Sequence, residues 1–170
     1  MPTRFRASKS QRRVWRRNAD LEIEVGDPQI DEERLDLYHR FHEERAQARG
    51  WPDREISSTE YIETFVQNAA PTLEFRYRLD GRLVGIAYVG RSSESLNSIY
   101  AFTDPDESRR SLGTFDVLAE IEYARSEGLR HVYLGFLVRG CGSMEYKSSF
   151  RPHQLLSGGG WRFSEGADSD

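Results

Sequence analysis

Residues 98–150 read SIYAFTDPDESRRSLGTFDVLAEIEYARSEGLRHVYLGFLVRGCGSMEYKSSF, and this stretch decides the fold. In order, it predicts a strand, a basic turn, a helix closed by Gly128, a second strand and a polar segment. The unbroken apolar character of residues 131–138 is typical of a central, parallel strand. The arginine-rich turn is therefore expected at a helix N-terminus beside a strand, where α/β proteins often hold an anionic ligand.

The residues before this stretch add two helices and an antiparallel meander. Asp27-Pro28 predicts the start of a helix that Gly50 ends, and the capping box at 57–60 starts a second helix. Alternating residues at 73–79 and 83–89 flank a turn and predict a hairpin, with a third strand at 95–102. We predict an α/β, GNAT-like acyltransferase fold, an antiparallel meander continuing into a mixed sheet flanked by helices. In that plan the ligand binds where the meander and the next strand splay apart.

Length and composition limit the kind of protein. The chain has 170 residues and a single cysteine, Cys141, so it fits one domain and has neither an internal disulfide nor a cysteine-based metal cluster. A reduced, cytoplasmic setting is the default for such a chain, and no apolar run approaches the length of a membrane span. We predict a basic N-terminal arm (1–20), a catalytic domain (21–163) and an acidic, disordered tail (164–170).

Positive charge is concentrated near the N-terminus, although the net charge is −4. Residues 4–17 contain no acid and seven basic residues: Arg4, Arg6, Lys9, Arg12, Arg13, Arg16 and Arg17. Arginine suits planar, bidentate contact with phosphate, so the patch permits a focused contact with nucleic acid. The alternative is a disordered tail, or a solvated helix face paired with the acids of residues 31–44.

Five motifs follow one another along the chain: FRxSKSQRRVxRRN (5–18), YxFxDP (100–105), RSLGT (110–114), YLGF (133–136) and CxxMxYKxxFxP (141–152). In this order and spacing they resemble the motifs of arginyl-tRNA–protein transferases and of their bacterial relatives, the aspartate/glutamate leucyltransferases. The resemblance implies the GNAT-like catalytic half of an enzyme of the N-degron pathway. Such an enzyme moves arginine, or leucine, from charged tRNA to the N-terminal amine of a protein that begins with Asp or Glu. Members of the family carry a further, cysteine-rich N-terminal domain, so a separate chain that supplies this domain is a candidate partner beside charged tRNA and the acceptor protein.

The chemistry of this reaction needs little beyond positioning. An aminoacyl ester is already a good electrophile, and an α-amine has a pKa of about 7.7–8.0, so part of it is deprotonated at neutral pH. The enzyme must align the two partners, hold the carbonyl and accept a proton. We therefore predict no cofactor other than charged tRNA as a co-substrate.

The resemblance also assigns candidate residues. Lys147, one of only two lysines, is predicted to bind the acceptor's carboxylate or the substrate carbonyl. The tyrosines Tyr100, Tyr133 and Tyr146 are candidate hydrogen-bonding walls or proton relays. Arg109, Arg110 and the backbone N–H groups from Ser111 to Gly113 are predicted to hold the acceptor-stem phosphate or the terminal adenosine, and Arg12, Arg13, Arg16 and Arg17 the tRNA backbone. Core packing of the tyrosines and solvated surface positions for the charged residues are the alternatives.

Beside this function, the sequence raises the question of a metal site and leaves two alternative functions. The pair His39-x-x-His42 lacks further ligands, so no metal site is predicted. An acyl-CoA N-acetyltransferase is the first alternative, but its pyrophosphate loop needs two glycines and residues 110–115 contain one. A non-catalytic degron-binding relic is the second, because residues 136–138 read FLV where the family's pattern has YWI.

Overall fold

The computed structural model describes residues 2–50, 55–138 and 140–164 of the chain. A five-stranded sheet forms its centre, with the strands in the order β1-β2-β3-β4-β5. The strands are β1 (Glu22–Gly26), β2 (Thr72–Leu79), β3 (Arg82–Arg91), β4 (Ser95–Thr103) and β5 (His131–Tyr133). The first four are antiparallel neighbours and β5 runs parallel to β4, which confirms the predicted meander and the predicted GNAT-like mixed sheet. The short strand β1 was not predicted.

Five α-helices surround the sheet in the described residues: α1 (Lys9–Arg17), α2 (Glu32–Arg49), α3 (Ser58–Tyr61), α4 (Leu112–Ser126) and α5 (Gly142–Glu145). The predicted capping box at Ser57 starts α3, and a π-helical turn (Ile62–Val66) continues it. Gly50 ends α2 in the left-handed region with φ 64°, as expected. A hairpin of β6 (Gln154–Ser157) and β7 (Gly160–Phe163) follows α5, with the glycine-rich run as its turn.

The predicted start of α2 at Asp27-Pro28 is wrong. The helix begins at Glu32, and its N-cap is Asp31, whose side chain accepts a hydrogen bond from the Arg34 backbone N–H at 2.9 Å. The segment before it is held outside the helix, because the Gln29 backbone N–H donates to the buried Glu74 carboxylate at 3.3 Å. Pro28 fits a helix start but fits extended backbone equally well, so Asp31 decides the boundary.

The strand predicted over residues 131–138 is parallel, as expected, but it is short and lies at the edge of the sheet. Only His131–Tyr133 pairs with β4. Gly135 then adopts a left-handed conformation with φ 75°, and the Phe136 carbonyl accepts a hydrogen bond from Lys147 Nζ at 3.2 Å. Both features take the backbone out of the ladder, and Phe136 and Val138 are left exposed instead of extending the strand.

Two helical layers cover the two faces of the sheet. On one face, α4 and α1 pack over the strands through a cluster that includes Phe75, Tyr77, Leu96, Leu112, Phe115 and Ala119. On the other, α2 and α3 pack through Leu37, Tyr38, Tyr61, Ile86, Tyr88 and Phe102. A third cluster joins α4 to Phe5 and Phe150, so the polar segment after β5 folds back onto α4.

Residues 2–20, predicted as an arm, pack against α4. The Trp15 and Phe115 rings lie 5.2 Å apart, and the buried Gln11 side chain donates to the Ser149 carbonyl at 3.2 Å. Residues 165–170 of the predicted acidic tail lie outside the described residues. None of the helices in the described part of the chain combines the length and the apolar character that a membrane span requires.

Candidate active site

The sheet opens between β4 and β5. Their parallel pairing ends at Asn97 and Tyr133, whereas β4 continues to Thr103. On its other side β4 carries a β-bulge, because Tyr88 pairs with Tyr100 while Val89 pairs with Ser98, and Ile99 has no partner residue. Bulges commonly lie next to active sites, where they redirect side chains. The predicted splay is therefore present, and Ser98 is the first β4 residue beyond the pairing.

Helix α4 presents a polar stripe toward this opening. Gly113, Asp116 and Glu120 are three and four residues apart, so they lie one above the other on a single face of the helix. Gly113 is exposed in the first turn, and a Cβ built there would meet no atom within 4 Å. Asp116 and Glu120 are buried deeper along the same stripe. The stripe thus runs from an open helix start to two buried carboxyl groups.

Asp116 is 3% exposed and accepts a hydrogen bond of 2.5 Å from the Tyr77 hydroxyl of β2. Burial raises the pKa of Asp116 to about 7, although the hydrogen bond from Tyr77 acts in the opposite direction. Its carboxyl group therefore changes charge near neutral pH, which is where a proton acceptor is most useful.

Glu120 is fully buried, and neither of its carboxyl oxygens has a hydrogen-bond partner among the described residues. Burial, and after it the charge of Asp116, raise the pKa of Glu120 well above its ordinary value. The Ser98 hydroxyl opposes this rise but lacks the geometry of a hydrogen bond to either oxygen. Buried polar groups are nearly always paired, so an unpaired carboxyl at the opening of a sheet points to a function.

Tyr146 is affected electrostatically by both carboxyl groups. It belongs to the 3-10 turn Tyr146–Ser149, and burial followed by the charges of Asp116 and Glu120 raises the pKa of its phenol to about 12. The side chain is 37% exposed and its ring stands edge-on to Phe150 at 6.3 Å.

Lys147, the next residue, lines a cleft of about 690 Å³ that Phe150 also lines. Apolar side chains dominate the lining, among them Phe5, Ile121, Val132, Phe136, Leu155 and Trp161. No acidic side chain lines the cleft among the described residues, and Lys147 is the only Lys or Arg there. Burial lowers the pKa of Lys147 and also that of His153, a further lining residue.

The structure does not bring the three candidate tyrosines together. Tyr133 lines the cleft, with its ring 5.5 Å from that of Trp161. Tyr100 lies on the opposite face of the sheet, where its hydroxyl is 2.9 Å from His42 Nε2 and its ring packs among α2 and α3. Tyr146 and Tyr133 thus flank Lys147, and Tyr100 belongs to the aromatic core.

The turn that carries Arg109 and Arg110 is held in place by buried charge. Asp104 caps this turn through the Asp106 backbone N–H at 3.1 Å and accepts from Arg40 and Arg82. Burial favours a neutral Asp104, but the hydrogen bonds from Arg40 and its neighbours lower its pKa below the ordinary value. The loop is therefore fixed beside the start of α4.

Arg110 of this turn already pairs with two carboxylates. Its guanidinium binds Asp20 at 2.9 and 3.0 Å and Glu107 at 2.8 Å, and these contacts raise the pKa of Arg110. A phosphate bound by Arg110 would have to compete with both carboxylates. Arg109 is exposed, and its backbone carbonyl accepts a hydrogen bond from Arg17. Ser111 precedes α4 in a left-handed conformation and makes no side-chain cap.

The predicted tRNA-binding arginines lie on one helix, next to the turn that carries Arg109 and Arg110. Arg12, Arg13, Arg16 and Arg17 are all exposed on α1. Within the described residues, none of the four forms an ion pair, and neither does Arg109. Their charge is therefore available to an anionic partner that approaches the first turn of α4.

Asp116 and Glu120 were missed by reasoning from the sequence. The helical period that predicts Val117, Leu118 and Ile121 as the buried face also brings Asp116 and Glu120 to its border. Two acids at positions i and i+4 on a helix that is otherwise predicted to be buried indicate a candidate site. Among the described residues no cluster of three or more potential ligands for a metal ion is present.

The fold defines the class of protein. An aminoglycoside acetyltransferase from an uncultured soil metagenomic sample superimposes with a TM-score of 0.54 at 13% identity, over 82% of this chain and 95% of that one. At this identity the similarity shows the fold alone, which is that of the GNAT-like acyltransferases.

The sequence places the chain more closely. Residues 33–157 match the family model described as arginine-tRNA-protein transferase, C terminus. The aspartate/glutamate leucyltransferase of Hahella chejuensis is 36% identical over 158 residues, 92% of this chain and 66% of that protein. The one from Pseudomonas fluorescens Pf-5 is 39% identical over 160 residues, 94% and 67% of the two chains. The chain belongs to the arginine-tRNA-protein transferase C-terminal family, and it spans about two thirds of the length of these relatives.

Proposed function

We propose that this chain is the catalytic part of an aminoacyl-tRNA–protein transferase that moves leucine, rather than arginine, from charged tRNA to the N-terminal amine of proteins beginning with Asp or Glu. This reaction marks proteins for degradation in the N-degron pathway. It needs no cofactor, because the aminoacyl ester is already activated, and it takes place in the cytoplasm, where charged tRNA is made.

The lining of the cleft beside Lys147 supports leucine. A leucyl side chain gains from burial against apolar walls such as Phe136, Leu155 and Trp161. An arginyl guanidinium would lie near the Lys147 ammonium without a carboxylate partner, since no acidic side chain lines the cleft in the described part of the chain. An unpaired charge in such a site is costly. The relatives' names favour the same amino acid.

Lys147 suits the acceptor. Its ammonium is half-buried and fixed by the Phe136 carbonyl, so it offers two remaining donors to the side-chain carboxylate of an N-terminal Asp or Glu. A compact point charge of this kind distinguishes an acidic residue from an isosteric amide. Tyr146 on one side and Tyr133 on the other would then form the walls of the reacting centre.

The basic face of α1 suits the donor. The C-terminal end of α1 lies beside the turn before α4, because Arg17 donates to the Arg109 carbonyl, and the backbone N–H groups and dipole of that helix start favour a phosphate. The tRNA acceptor end would enter there and extend its ester along the stripe of α4 toward Tyr146.

The experiment presents labelled leucine and labelled arginine, each on its charged tRNA, to peptides beginning with Asp, Glu or Ala. We expect leucine on the Asp and Glu peptides only. Arginine transfer would contradict the inference that the apolar cleft selects leucine. Acetyl transfer from acetyl-CoA in a parallel reaction would favour the N-acetyltransferase alternative. Binding of the acidic peptides without transfer would favour a degron-binding relic.

A variant tests the cleft itself. Phe136 is 84% exposed, so Phe136→Asp places a carboxylate at the cleft without disturbing the core. The ratio of leucine to arginine transfer should fall in this variant. Ile23→Asp, at an exposed position on β1 outside the cleft, is the matched control and should keep the wild-type ratio.

A further inference from the structure

We infer that His153, through its Nε2 atom, accepts the proton that the acceptor's α-amine releases when it attacks the aminoacyl ester. This inference rests on the proposed transfer function. It assigns the proton acceptor that the reaction needs and that the sequence motifs leave unnamed.

The proposed role of Lys147 determines where this proton acceptor must lie. In an N-terminal Asp only two carbon atoms separate the α-nitrogen from the side-chain carboxyl carbon, so an acceptor held by Lys147 keeps its amine in the same cleft. His153 lines that cleft together with Lys147, whereas the buried acids Asp116 and Glu120 do not. A base must come within hydrogen-bond reach of the proton that it removes, which favours His153.

Hydrogen bonds on two sides of His153 fix its position and its tautomer. Its backbone carbonyl accepts from the Ser164 backbone N–H at 3.2 Å, at the open end of the hairpin of β6 and β7. Its ring Nδ1 lies 3.2 Å from the Phe150 carbonyl oxygen, which can only accept, so Nδ1 carries the ring proton. Nε2 is then the basic nitrogen of the neutral ring, and it makes no hydrogen bond with another described residue.

The charged and titratable groups around His153 keep its ring neutral at pH 7. Burial lowers the pKa of His153; the hydrogen bond to the Phe150 carbonyl opposes this effect, and the charge of Arg151 adds to it. No carboxylate among the described lining residues would stabilise an imidazolium. The other titratable groups of the described lining are Lys147 in the 3-10 turn and His131 and Tyr133 in β5.

His131 is the other histidine of the cleft lining, but it is held differently. It occupies the first pair of the ladder between β5 and β4, opposite Ser95, and its ring stacks on Tyr133 at 5.9 Å. Among the described residues, no hydrogen-bond partner holds its ring in one tautomer. His153 is therefore the lining histidine whose acceptor nitrogen is defined by the fold.

The step balances with His153 acting first as a base and then as an acid. The neutral α-amine attacks the ester carbonyl carbon, and a C–N bond forms. The nitrogen becomes positively charged and therefore acidic, and its proton passes to Nε2 of His153. When the C–O bond to the tRNA 3′ oxygen breaks, the imidazolium gives this proton to the leaving oxygen. The products are an amide and a free tRNA hydroxyl, and the ring is neutral again.

The test is single-turnover leucyl transfer between pH 5 and pH 8, with saturating charged tRNA and an Asp peptide. His153→Asn keeps a donor near the position of Nδ1 for the Phe150 carbonyl but lacks Nε2. Its maximal rate at pH 7.5 should be about 100-fold below that of the wild type, while the peptide concentration that gives half the maximal rate should change little.

The slope of the pH profile gives a second readout. The logarithm of the wild-type rate should rise by about two per pH unit below the pKa of His153 and by about one above it, because the amine and the ring must both be neutral. In His153→Asn only the amine titrates, so the slope should be about one throughout.

Chemical rescue separates a base from a structural role. Imidazole added to His153→Ala should restore part of the rate in proportion to the concentration of its neutral form. His39→Asn is the matched control, because the His39 ring also contacts a backbone carbonyl, that of Ile56 at 3.0 Å, but lies on α2 outside the cleft. Transfer per folded molecule of this variant should match the wild type, with or without imidazole.

Each outcome decides between the two proposals. A wild-type rate and slope in His153→Asn, or no response of His153→Ala to imidazole, would overturn the role of His153 while the transfer function stands. A loss in His131→Asn beside a wild-type rate in His153→Asn would overturn it in favour of His131. Absence of leucyl or arginyl transfer by the wild-type chain would instead overturn the proposed function and the role of His153 with it.

Discussion

Two neighbouring side chains of one turn take part in different chemistry. Lys147 lines the apolar cleft together with Phe150, whereas burial and the charges of the α4 acids raise the pKa of Tyr146. A residue-by-residue comparison can therefore separate recognition of the acceptor from the chemical step. The lysine should affect KM for the peptide, and the tyrosine should affect the rate of the chemical step.

Lys147→Ala tests recognition of the acceptor. A charge-assisted hydrogen bond contributes about 1.5–3 kcal/mol, so KM for an Asp peptide should rise by at least about tenfold with little change in thermal stability. The control is Lys9→Ala, which removes the chain's only other lysine at an exposed position of α1. An unchanged peptide KM in Lys147→Ala would remove Lys147 from the acceptor site.

Asp116→Asn should change how stability depends on pH. The folded-state pKa of about 7 lies above the unfolded value, so the wild-type fold loses stability as pH rises from about 4 to about 7. The loss amounts to at most ~4 kcal/mol, at 1.36 kcal/mol per pKa unit. The variant keeps an acceptor oxygen for Tyr77 and is free of this loss.

Urea unfolding at pH 5 and pH 8 measures the effect. Relative to the wild type, Asp116→Asn should gain stability at pH 8, and Glu122→Gln, at an exposed acid of the same helix, should not. Parallel pH dependence of the wild type and Asp116→Asn would mean that Asp116 stays ionised in the folded protein.

At the scale of elements, the first turn of α4 combines a structural cost with a functional purpose. Gly113 has no positive φ and a Cβ there would meet open space, so the local fold does not require a glycine. Glycine in a helix costs roughly 0.5–1 kcal/mol relative to alanine. Close approach of a ligand to the backbone is the remaining reason for a glycine at this position.

Gly113→Ala should therefore change stability and donor binding in opposite directions. We expect a gain in unfolding free energy of up to about 1 kcal/mol and a higher KM for charged tRNA. Thermal unfolding and donor titration measure the two effects. Gly128→Ala is a contrasting control, because φ 68° makes alanine unfavourable there, so stability should fall without a change in donor KM. A donor KM that stays constant in Gly113→Ala would place the tRNA elsewhere.

Helix α1 makes a separate prediction about salt. Binding affinity for tRNA falls with salt by about 0.7–0.9 logarithmic units per decade for each neutralised phosphate. Arg12→Ala with Arg13→Ala should reduce that slope by roughly 1.5 and weaken binding of all tRNAs alike. Arg130→Ala, an exposed arginine paired with Glu94, is the control. An unchanged slope in the double variant would show that α1 does not contact the nucleic acid.

The elements were more predictable from the sequence than the site was. Capping boxes, the Asp80-Gly81 turn and strand alternation are local signals, so α3, the meander and α4 were predicted close to their bounds. The start of α2 depends on a contact between Gln29 and Glu74, 45 residues apart, which no local pattern contains. The lengths of β1 and β5 likewise depend on their neighbours in the sheet.

The site depends even more on distant contacts. The motifs indicated Lys147 and Tyr146, which the structure places near each other, and Tyr100, which it places on the other face of the sheet. The acid pair has a sequence signal in its spacing, but its burial and the unpaired oxygens of Glu120 arise only when the sheet, with Tyr77 and Ser98, packs against α4. Long-range packing, rather than propensity, creates that chemistry.

At the scale of the whole molecule, the two faces of the sheet divide the work. The α4 face carries the opening between β4 and β5, the acid pair and the basic helix α1. The opposite face holds a closed polar network: Arg34 binds the buried Glu74 at 2.7 Å, Tyr88 donates to Glu74 at 3.1 Å, and Tyr61 is 2.6 Å from Tyr88. Burial raises the pKa of both tyrosines far above neutrality, so this network stays uncharged at its phenols.

Glu74→Gln tests this division. Glu74 is fully buried and Arg34 is 3% exposed, so the substitution removes the buried carboxylate partner of Arg34 and leaves it only the half-exposed Asp31. Breaking a buried pair in this way costs roughly 3–5 kcal/mol, whereas loss of an exposed pair costs under about 1 kcal/mol. The matched control is Glu24→Gln, which removes one of the two carboxylate partners of Arg76 at a position that is 44% exposed.

The expected result is a large fall in unfolding free energy for Glu74→Gln and a small one for Glu24→Gln. Transfer per folded molecule, measured well below the unfolding temperature, should keep the wild-type rate and pH profile in both variants. The α4 face remains intact in each, because α4 contacts the other side of the sheet. A Glu74→Gln protein that stays folded yet transfers more slowly than the wild type would show that the two faces are coupled through the sheet.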